Sequence, residues 1–488
     1  ITNASTDSLF FLHEFGIRKT FPEKCLQEAQ DFGKTVKKQD RQGRLDLTHL
    51  NSMTIDPVTA KDFDDALSIT VDENNHYHLG VHIADAAFYV KAGTELDKEA
   101  KKRANSTYFP NECVPMLPEH LSNGLCSLKP NVIRLAVSIL MHFDEKGALL
   151  EKTIKRSFIK SKKRWSYPEA LSCLQGKKKS PYKKALENLK DLAMLLKKQR
   201  QLRGSIDFSL IDSKILIGEI GEPKGIVKEE YDVTHQLVEE FMLKANELVA
   251  LTLSDLGRDL IYRIHEEPNS DNFADFLVTA KSLGFSLEDP PTDQEIQMLF
   301  QEARHSPHFQ RLSLSFIKAM KLACYSKKNI GHYGLKLSHY AHFTSPIRRY
   351  ADLTVQRILF NEMEAEDLDE TASYISDQER NSMKAENAVI FLKKLRLIQK
   401  IYKKDPNKKY LATITSVKPY AIFFEIQDVL IEGSLHISQI GRDFFVFCPR
   451  KNALIGERTK TSYSFGTEIF VKVKEVDLTF QQAKFFLC

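Results

Sequence analysis

The stretch Thr54-Ile55-Asp56-Pro57-Val58-Thr59-Ala60-Lys61-Asp62-Phe63-Asp64-Asp65-Ala66-Leu67 constrains this chain more than any other. Four carboxylates, Asp56, Asp62, Asp64 and Asp65, fall within ten residues of a segment otherwise too apolar to be a surface acidic tail. Pro57 forbids a helix interior, which leaves Asp56 on a loop able to fold back toward the other three. Carboxylates gathered in this way repel unless a cation neutralises them, and an all-oxygen donor set selects a hard ion, Mg2+ or Mn2+. Two such ions about 4 Å apart would suit in-line attack on a phosphodiester, one activating water and the other stabilising the leaving oxygen. Two plainer readings compete. A calcium loop could start at Asp62, with Asp64 and Glu73 at its third and twelfth positions, but Leu67 stands where that loop needs glycine. Turn and cap aspartates explain one or two of the four, not all of them.

The second constellation is His342-Phe343-Thr344-Ser345-Pro346-Ile347-Arg348-Arg349-Tyr350-Ala351-Asp352. Ser345 is a natural helix N-cap and Pro346 a natural first helical residue, so the spacing predicts a helix with Arg348 and Arg349 in its first turn. Cations are disfavoured there by the helix dipole unless an anion is held between them and the free N–H groups. A plainer role would be an Arg348–Asp352 pair at i, i+4, worth a few tenths of a kcal/mol. A third group is aromatic: Tyr108 in the irregular Asn105–Pro110 stretch, and Tyr262 in Leu260–His265. Such rings stack on unpaired bases without demanding sequence, although a lone tyrosine is more often core.

Around these motifs the chain has room for two to four domains in its 488 residues. With 42% hydrophobic and 28% charged residues it buries a core rather than staying disordered. Mean hydropathy is −0.33 and no apolar run reaches the ~18–20 residues of a membrane span. The seven cysteines are scattered with no C-x-x-C pair, which fits a reducing, cytoplasmic setting rather than a disulfide framework. The start at Ile1 lacks a methionine and a signal pattern and reads as a fragment. Net charge is a mild +5, but basic residues cluster at Lys152–Arg164, Lys177–Lys184 and Lys393–Lys409, where they either attract phosphates or simply solvate helix faces.

Residues 66–71 and 76–83 flank the turn-like Asp72-Glu73-Asn74-Asn75 and predict an antiparallel hairpin. Helices are expected from Pro22 to near Gly33, from Pro181 to Gly204 and from about Thr234 to Gly257, with a capping box at Thr292-x-x-Glu295 opening another. The pattern from about 370 to 404 is helical and basic. Beyond Pro406 five short β-type runs suit a small OB-type barrel. The expected units are a connector over 1–45, an α+β catalytic domain over 46–372, a basic helical connector over 373–405 and an all-β domain over 406–488.

Taken together these segments resemble the RNase II/RNase R family of 3′→5′ exoribonucleases. The likeness rests on Asp46-Leu47-Thr48 through the aspartate cluster, Val81–Asp85, Tyr108–Pro110 through Leu125–Leu128, Gly204-Ser205-Ile206-Asp207-Phe208, Val238–Met242 and His339 through Leu353. The tail from about Asn407 resembles an S1 domain. The wording is closer to RNase R than to RNase II, notably at Val114–Pro118 and His332–Leu335. The resemblance implies a large mixed sheet-and-helix catalytic domain with a channel for single-stranded RNA 3′ ends, Mg2+ at its base, and release of nucleoside 5′-monophosphates. It implies metal and catalytic roles for Asp56, Asp62, Asp64 and Asp65, and a phosphate grip by Arg348. Tyr108 matches a tyrosine that packs on the 3′-terminal base, Tyr262 is matched to the aromatic on its other side, and Glu386 to a glutamate near the final nucleotides. In the S1-like tail Lys418-Pro419-Tyr420-Ala421 replaces the usual glycines, and Tyr420, Phe423 and His436 are expected to form the stacking face. The family carries cold-shock-type domains before the catalytic one, and this chain is expected to start after them. No protein partner is implied, and a monomer is expected.

A catalytically inactive RNA-binding adaptor on the same fold is the rival from another class. Loss of a metal carboxylate would mark it, and all four are present. An endoribonuclease would instead make internal cuts.

Overall fold

The computed structural model describes residues 3–206, 212–229, 231–288, 290–304, 306, 308–363 and 367–488. Asp207 and Phe208, part of the family resemblance, lie outside the described residues. Two short helices, α1 (Asp7–Glu14) and α2 (Glu23–Asp31), precede the first strand. Alternating and continuous apolar runs then build one mixed sheet from β1 (Leu45–Asp46), β2 (Met53–Asp56), β3 (Asp65–Val71) and β4 (Tyr77–Ala84). Helices α3 (Ala86–Tyr89) and α4 (Glu95–Arg103) and a small hairpin, β5 (Thr107–Tyr108) with β6 (Cys113–Val114), interrupt it. The sheet resumes with β7 (Ile133–Phe143), β8 (Leu149–Lys160) and β9 (Lys163–Ser166).

Its strand order is β1-β8-β7-β4-β3-β2-β9. Only the β1–β8 and β2–β9 pairs are parallel. The expected hairpin is present, with Asp65 opposite Ile83 at one end and Val71 opposite Tyr77 at the other. Residues 66–69 and 79–84 are buried on both faces, which is why they read as unbroken apolar runs rather than as alternation. Buried polar groups within the sheet pair with one another: His82 is hydrogen-bonded to Ser68 Oγ (2.9 Å) and Ser138 Oγ (2.7 Å).

Helices α5 (Tyr167–Leu174), α6 (Lys183–Leu202) and α7 (Val233–Asp255) pack on β2, β3 and β4. Leu189, Leu192 and Leu196 form the buried stripe of α6, and Gly204, at φ +100°, takes the chain away from it. Between α6 and α7 lies the ribbon β10 (Asp212–Ile217) and β11 (Pro223–Glu229). Strand β12 (Tyr262–Ile264) pairs with β13 (Cys324–Ser326). The intervening α8 (Ser270–Ser282), α9 (Asp293–Ala303) and α10 (Phe309–Ala319) share a separate core around Phe276, Phe300 and Phe316. Thr292 and Glu295 make the expected capping box at the start of α9.

Helix α11 (Tyr350–Leu359) leads to the 37-residue α12 (Leu368–Lys404). The tail folds as β14 (Lys409–Lys418), β15 (Ala421–Ile426) and β16 (Ile431–His436). An additional sheet of β17 (Phe445–Cys448), β18 (Ala453–Gly456) and β19 (Ser462–Ser464), not foreseen from the sequence, precedes β20 (Glu468–Asp477) and β21 (Gln482–Leu487). The five main strands run β16-β15-β14-β20-β21, and β16 packs against β21 to bring the barrel nearly closed. The fold is thus α+β with a C-terminal OB-type barrel, as the sequence suggested. All seven cysteines are free, and no described helix is long and apolar enough to cross a membrane.

Two expectations change. The basic run 393–409 is not all available to phosphates, because Lys393 is fully buried and paired with Asp7 (2.9 Å). Arg164, in another basic run, donates to the carbonyls of Pro57 and Val58 and braces the loop of the aspartate cluster.

Candidate active site

A cavity of about 510 Å³ opens at the end of the sheet where β2 stops and β3 starts. Asp56 ends β2, Asp62 and Asp64 lie on the connecting loop, and Asp65 begins β3; all four line the cavity. Pro57 excludes a helix here as expected, but Asp56 is the last residue of β2 rather than a loop residue, and Ser127 holds the following loop by accepting from the Phe63 N–H (3.0 Å) and donating to the Lys61 carbonyl (2.7 Å). Thr344, Ser345, Arg348 and Arg349 of the 342–352 segment also line the cavity. The expected helix does not begin at Pro346: Thr344–Arg349 forms a turn, and α11 starts at Tyr350. Tertiary bonds override the local capping signal. Tyr350 N–H donates to Ala104 O (2.8 Å) and Ser106 N–H to Arg348 O (3.0 Å), which ties the turn to the segment carrying Tyr108.

The N–H of Ile347 in this turn donates to Asp64 Oδ1 (2.8 Å), and Arg348 Nε lies 3.6 Å from Asp64 Oδ2. The sequence placed an anion near these N–H groups, and the protein's own Asp64 carboxylate takes one of them. Arg348 Nη2 is steadied by Ser345 Oγ at 3.1 Å, and the guanidinium remains about two-fifths exposed toward the cavity. Arg349 is the residue paired with Asp352, through Nε–Oδ2 (2.8 Å) and Nη2–Oδ1 (2.7 Å); Asp352 also accepts from the Ser345 N–H. The i, i+3 pair therefore replaces the Arg348–Asp352 pair considered from spacing, and Arg348 is left facing the aspartates.

Burial pushes the carboxyls up. Asp56 rises to about 8 through burial and the nearby Asp65, and Asp65 to about 6 through burial, opposed by Arg348. Asp64 lies well above the ordinary carboxylate range, again through burial, with Arg348 and the Ile347 N–H opposing it. Asp56 Oδ2 is buried with no hydrogen-bond partner. A buried carboxylate oxygen without a hydrogen-bond partner, among acidic neighbours, is the donor an all-oxygen cation site supplies, so this set fits a hard divalent ion. The arrangement is open rather than a closed cage, since no three of these carboxylates bring oxygens within 4.8 Å of one another.

Tyr108 also lines the cavity. Its hydroxyl donates to Asp62 Oδ2 (3.1 Å), its N–H donates to Glu386 Oε1 (2.6 Å), and the residue is 40% exposed. Burial raises Glu386 above the ordinary carboxylate range, opposed by that N–H. The structure thereby joins Asp56, Asp62, Asp64, Asp65, Tyr108, Arg348 and Glu386. It does not bring Tyr262 to them. That residue is buried in β12, its backbone paired with Ser326 and its ring against His339, so the aromatic partner expected there is a core residue. In the barrel, Ala421 pairs with His436 and Phe423 with Ser434, which puts Phe423 and His436 on one face; both line a separate groove, and Tyr420 is exposed on the adjoining turn.

Sequence reading missed several residues of the cavity wall. Tyr167, Glu239, Asn246 and Tyr340 all line it. Tyr167 follows an N-cap serine at the start of α5 and stacks on His235, with ring centroids 3.8 Å apart. Glu239 fell within a noted run, but nothing in its helical spacing distinguishes a cavity position from a solvated one.

The RNB domain family model matches residues 44–365. Ribonuclease R of Chlamydia pneumoniae is 41% identical over 99% of this chain and 71% of its own length. This chain belongs to the RNB family. Within that family its curated relatives carry the name ribonuclease R, and it spans about two thirds of the length of several of them. The RNB fold is matched throughout by Mycoplasma genitalium RNase R in complex with ribose methylated single-stranded RNA, at TM-score 0.93 and 28% identity, covering 100% of this chain and 78% of that one. Yeast Ssd1, described as a pseudonuclease, shares the fold alone, at TM-score 0.77 and 19% identity over 93% of this chain and 58% of its own. The enzyme class expected from the sequence, a 3′→5′ exoribonuclease hydrolase, agrees with the RNB relatives at higher identity.

Proposed function

We propose that this chain degrades single-stranded RNA processively from its 3′ end and releases nucleoside 5′-monophosphates. The observation that carries this reading is the meeting of Asp64 with Ile347 and Arg348 across 283 residues of sequence, over a cavity walled by three more aspartates. Mg2+ or Mn2+ bound by Asp56, Asp62, Asp64 and Asp65, as one ion or two, would supply Lewis-acid activation of water and of the phosphoryl group. The chain's own groups do the remaining work. Arg348 offers a guanidinium to the charge that develops on the scissile phosphate, in a site shielded enough to strengthen that attraction. The Tyr108 ring packs on the terminal base while Asp62 and Glu386 fix its hydroxyl and backbone, so the last phosphodiester is held beside Asp64. In the barrel, Tyr420, Phe423 and His436 would stack on upstream nucleotides and keep the strand engaged between cuts. A cytoplasmic monomer needing no protein partner is part of the same proposal.

The test is incubation of 5′-labelled single-stranded RNA with the chain and Mg2+, beside Asp64→Asn and an EDTA control. A short limit product with nucleoside 5′-monophosphates, abolished in the variant while RNA binding persists, is the expected result. Internal fragments would favour an endoribonuclease. Binding without any shortening would favour the adaptor reading, to which the four retained aspartates lend no weight.

A further inference from the structure

We propose that Asp72, His76 and His142 form a second metal site, for a borderline transition-metal ion such as Zn2+, at the far end of the sheet from the aspartate cluster. Asp65 and Asp72 flank β3 at opposite ends, roughly 23 Å of strand apart. Asp72 opens the β3–β4 turn, His76 closes it, and His142 lies near the end of β7 on the strand next to β4. Among the described residues this is the only group of three or more His, Cys, Asp or Glu side chains whose ligand atoms all lie within 4.8 Å of one another.

Several features point to a ligand rather than to a chance cluster. Asp72 Oδ1 is fixed by the N–H groups of Asn74 and His76, both at 2.9 Å, as turn aspartates commonly are; that alone explains neither histidine. His142 Nε2 is buried and has no hydrogen-bond partner, a cost a folded protein seldom bears without a purpose. Asp72 Oδ2 and His78 Nε2 are 3.2 Å apart, and His78 stacks on His142 with centroids 4.2 Å apart at 13°. His76 Nε2 lies 3.8 Å from Glu145 Oε2. Three imidazoles and two carboxylates therefore share one corner of the molecule. Two imidazoles with one carboxylate suit Zn2+, Ni2+ or Co2+ and not Mg2+, which separates this site chemically from the all-oxygen cluster. Tetrahedral ligation at about 2.0–2.1 Å needs ligand atoms about 3.4 Å apart, a closure of the order of 1 Å that half-exposed side chains can make. His78 and Glu145 stand ready as a fourth ligand or as hydrogen-bonding supports. His78 and His142 also line a cavity of about 350 Å³. The bound ion would clip the β3–β4 turn to the end of β7 and act on stability rather than on cleavage.

The test uses metal-free chain with Mg2+ in excess, titrated with Zn2+ and followed by calorimetry, elemental analysis after dialysis, and thermal unfolding. The wild type and Asp64→Asn should each bind one equivalent and rise by a few degrees in Tm. His142→Gln and His76→Gln should lose more than the ~10–100-fold in affinity that loss of an outer support costs. Zn2+ binding unchanged in the histidine variants, or lost in Asp64→Asn, would overturn the proposal. Co2+ offers a reading that needs no variant: an intense visible absorption on the folded wild type supports four-coordinate nitrogen and oxygen ligation, and the weak spectrum of six-coordinate Co2+ overturns it.

Discussion

At the scale of single residues, Arg348 is defined by what it is spared. Asp352 is taken up by Arg349 and Ser345, so Arg348 keeps a free guanidinium edge beside Asp64. Arg348→Ala is expected to lower kcat by ~10²–10³ with little change in fold, measured by single-turnover cleavage and circular dichroism. Tyr108 carries two separable tasks. Tyr108→Ala should weaken binding of the terminal nucleotide by about 1–3 kcal/mol, seen as a raised KM, whereas Tyr108→Phe should keep the stacking and lose only the hydroxyl that holds Asp62. Asp56 sets a pH dependence. Its carboxyl rises from 3.8 to about 8 on folding, so its neutral form is favoured in the folded state. The stabilisation is complete below pH about 4 and is lost as pH rises through about 8, while divalent-ion affinity strengthens over the same window because binding needs the carboxylate. Thermal unfolding against pH in EDTA should fall across that range, and Asp56→Asn should flatten the slope.

At the scale of elements, two buried polar groupings join segments that the sequence keeps apart. Asp7 on α1 is paired with Lys393 (2.9 Å) and Arg396 (2.6 Å) on α12, and Lys393 also donates to Ala4 O and Gly221 O. Asp7→Ala would leave two cations without their carboxylate, one of them fully buried, and is expected to cost about 3–5 kcal/mol, read by denaturant unfolding. Inside the sheet, His82 is held near 4 by burial, below its ordinary 6.5, while it bridges Ser68 and Ser138. A depressed histidine contributes stability above pH about 6.5 that disappears as pH falls through about 4. The helix expected at Pro346 shows the limit of local rules. Ser345 has a capping sequence, but its N–H is drawn to Asp352 and the Ile347 N–H to Asp64, so a turn forms where a helix could have started.

At the scale of the whole molecule, the catalytic unit and the barrel are linked by α12, whose residues contribute to the cores of both. The groove holding Phe423 and His436 is separate from the aspartate cavity, so the two can be tested apart. A Tyr420→Ala/Phe423→Ala double variant should weaken binding of long RNA, measured by fluorescence anisotropy, and leave kcat on a short oligonucleotide unchanged.

Much of this was legible from residue order alone. The aspartate cluster, the β3–β4 hairpin, the helices after Pro181 and Thr234 and the five barrel strands all follow from local spacing, because side-chain periodicity and turn chemistry act over a few residues. What local spacing could not settle is which distant groups meet. Tyr262 and Tyr108 look equally able to stack on a base, yet one is locked into the β12–β13 ribbon and the other is presented beside Asp62. Lys393 sits in a basic run but turns inward to a carboxylate 386 positions earlier, while Arg349 rather than Arg348 takes the structural ion pair. Such choices depend on burial and on the competition of many tertiary partners for the same donors. The chain's order therefore determines its elements and its chemical vocabulary, and packing decides which of those groups face the cavity.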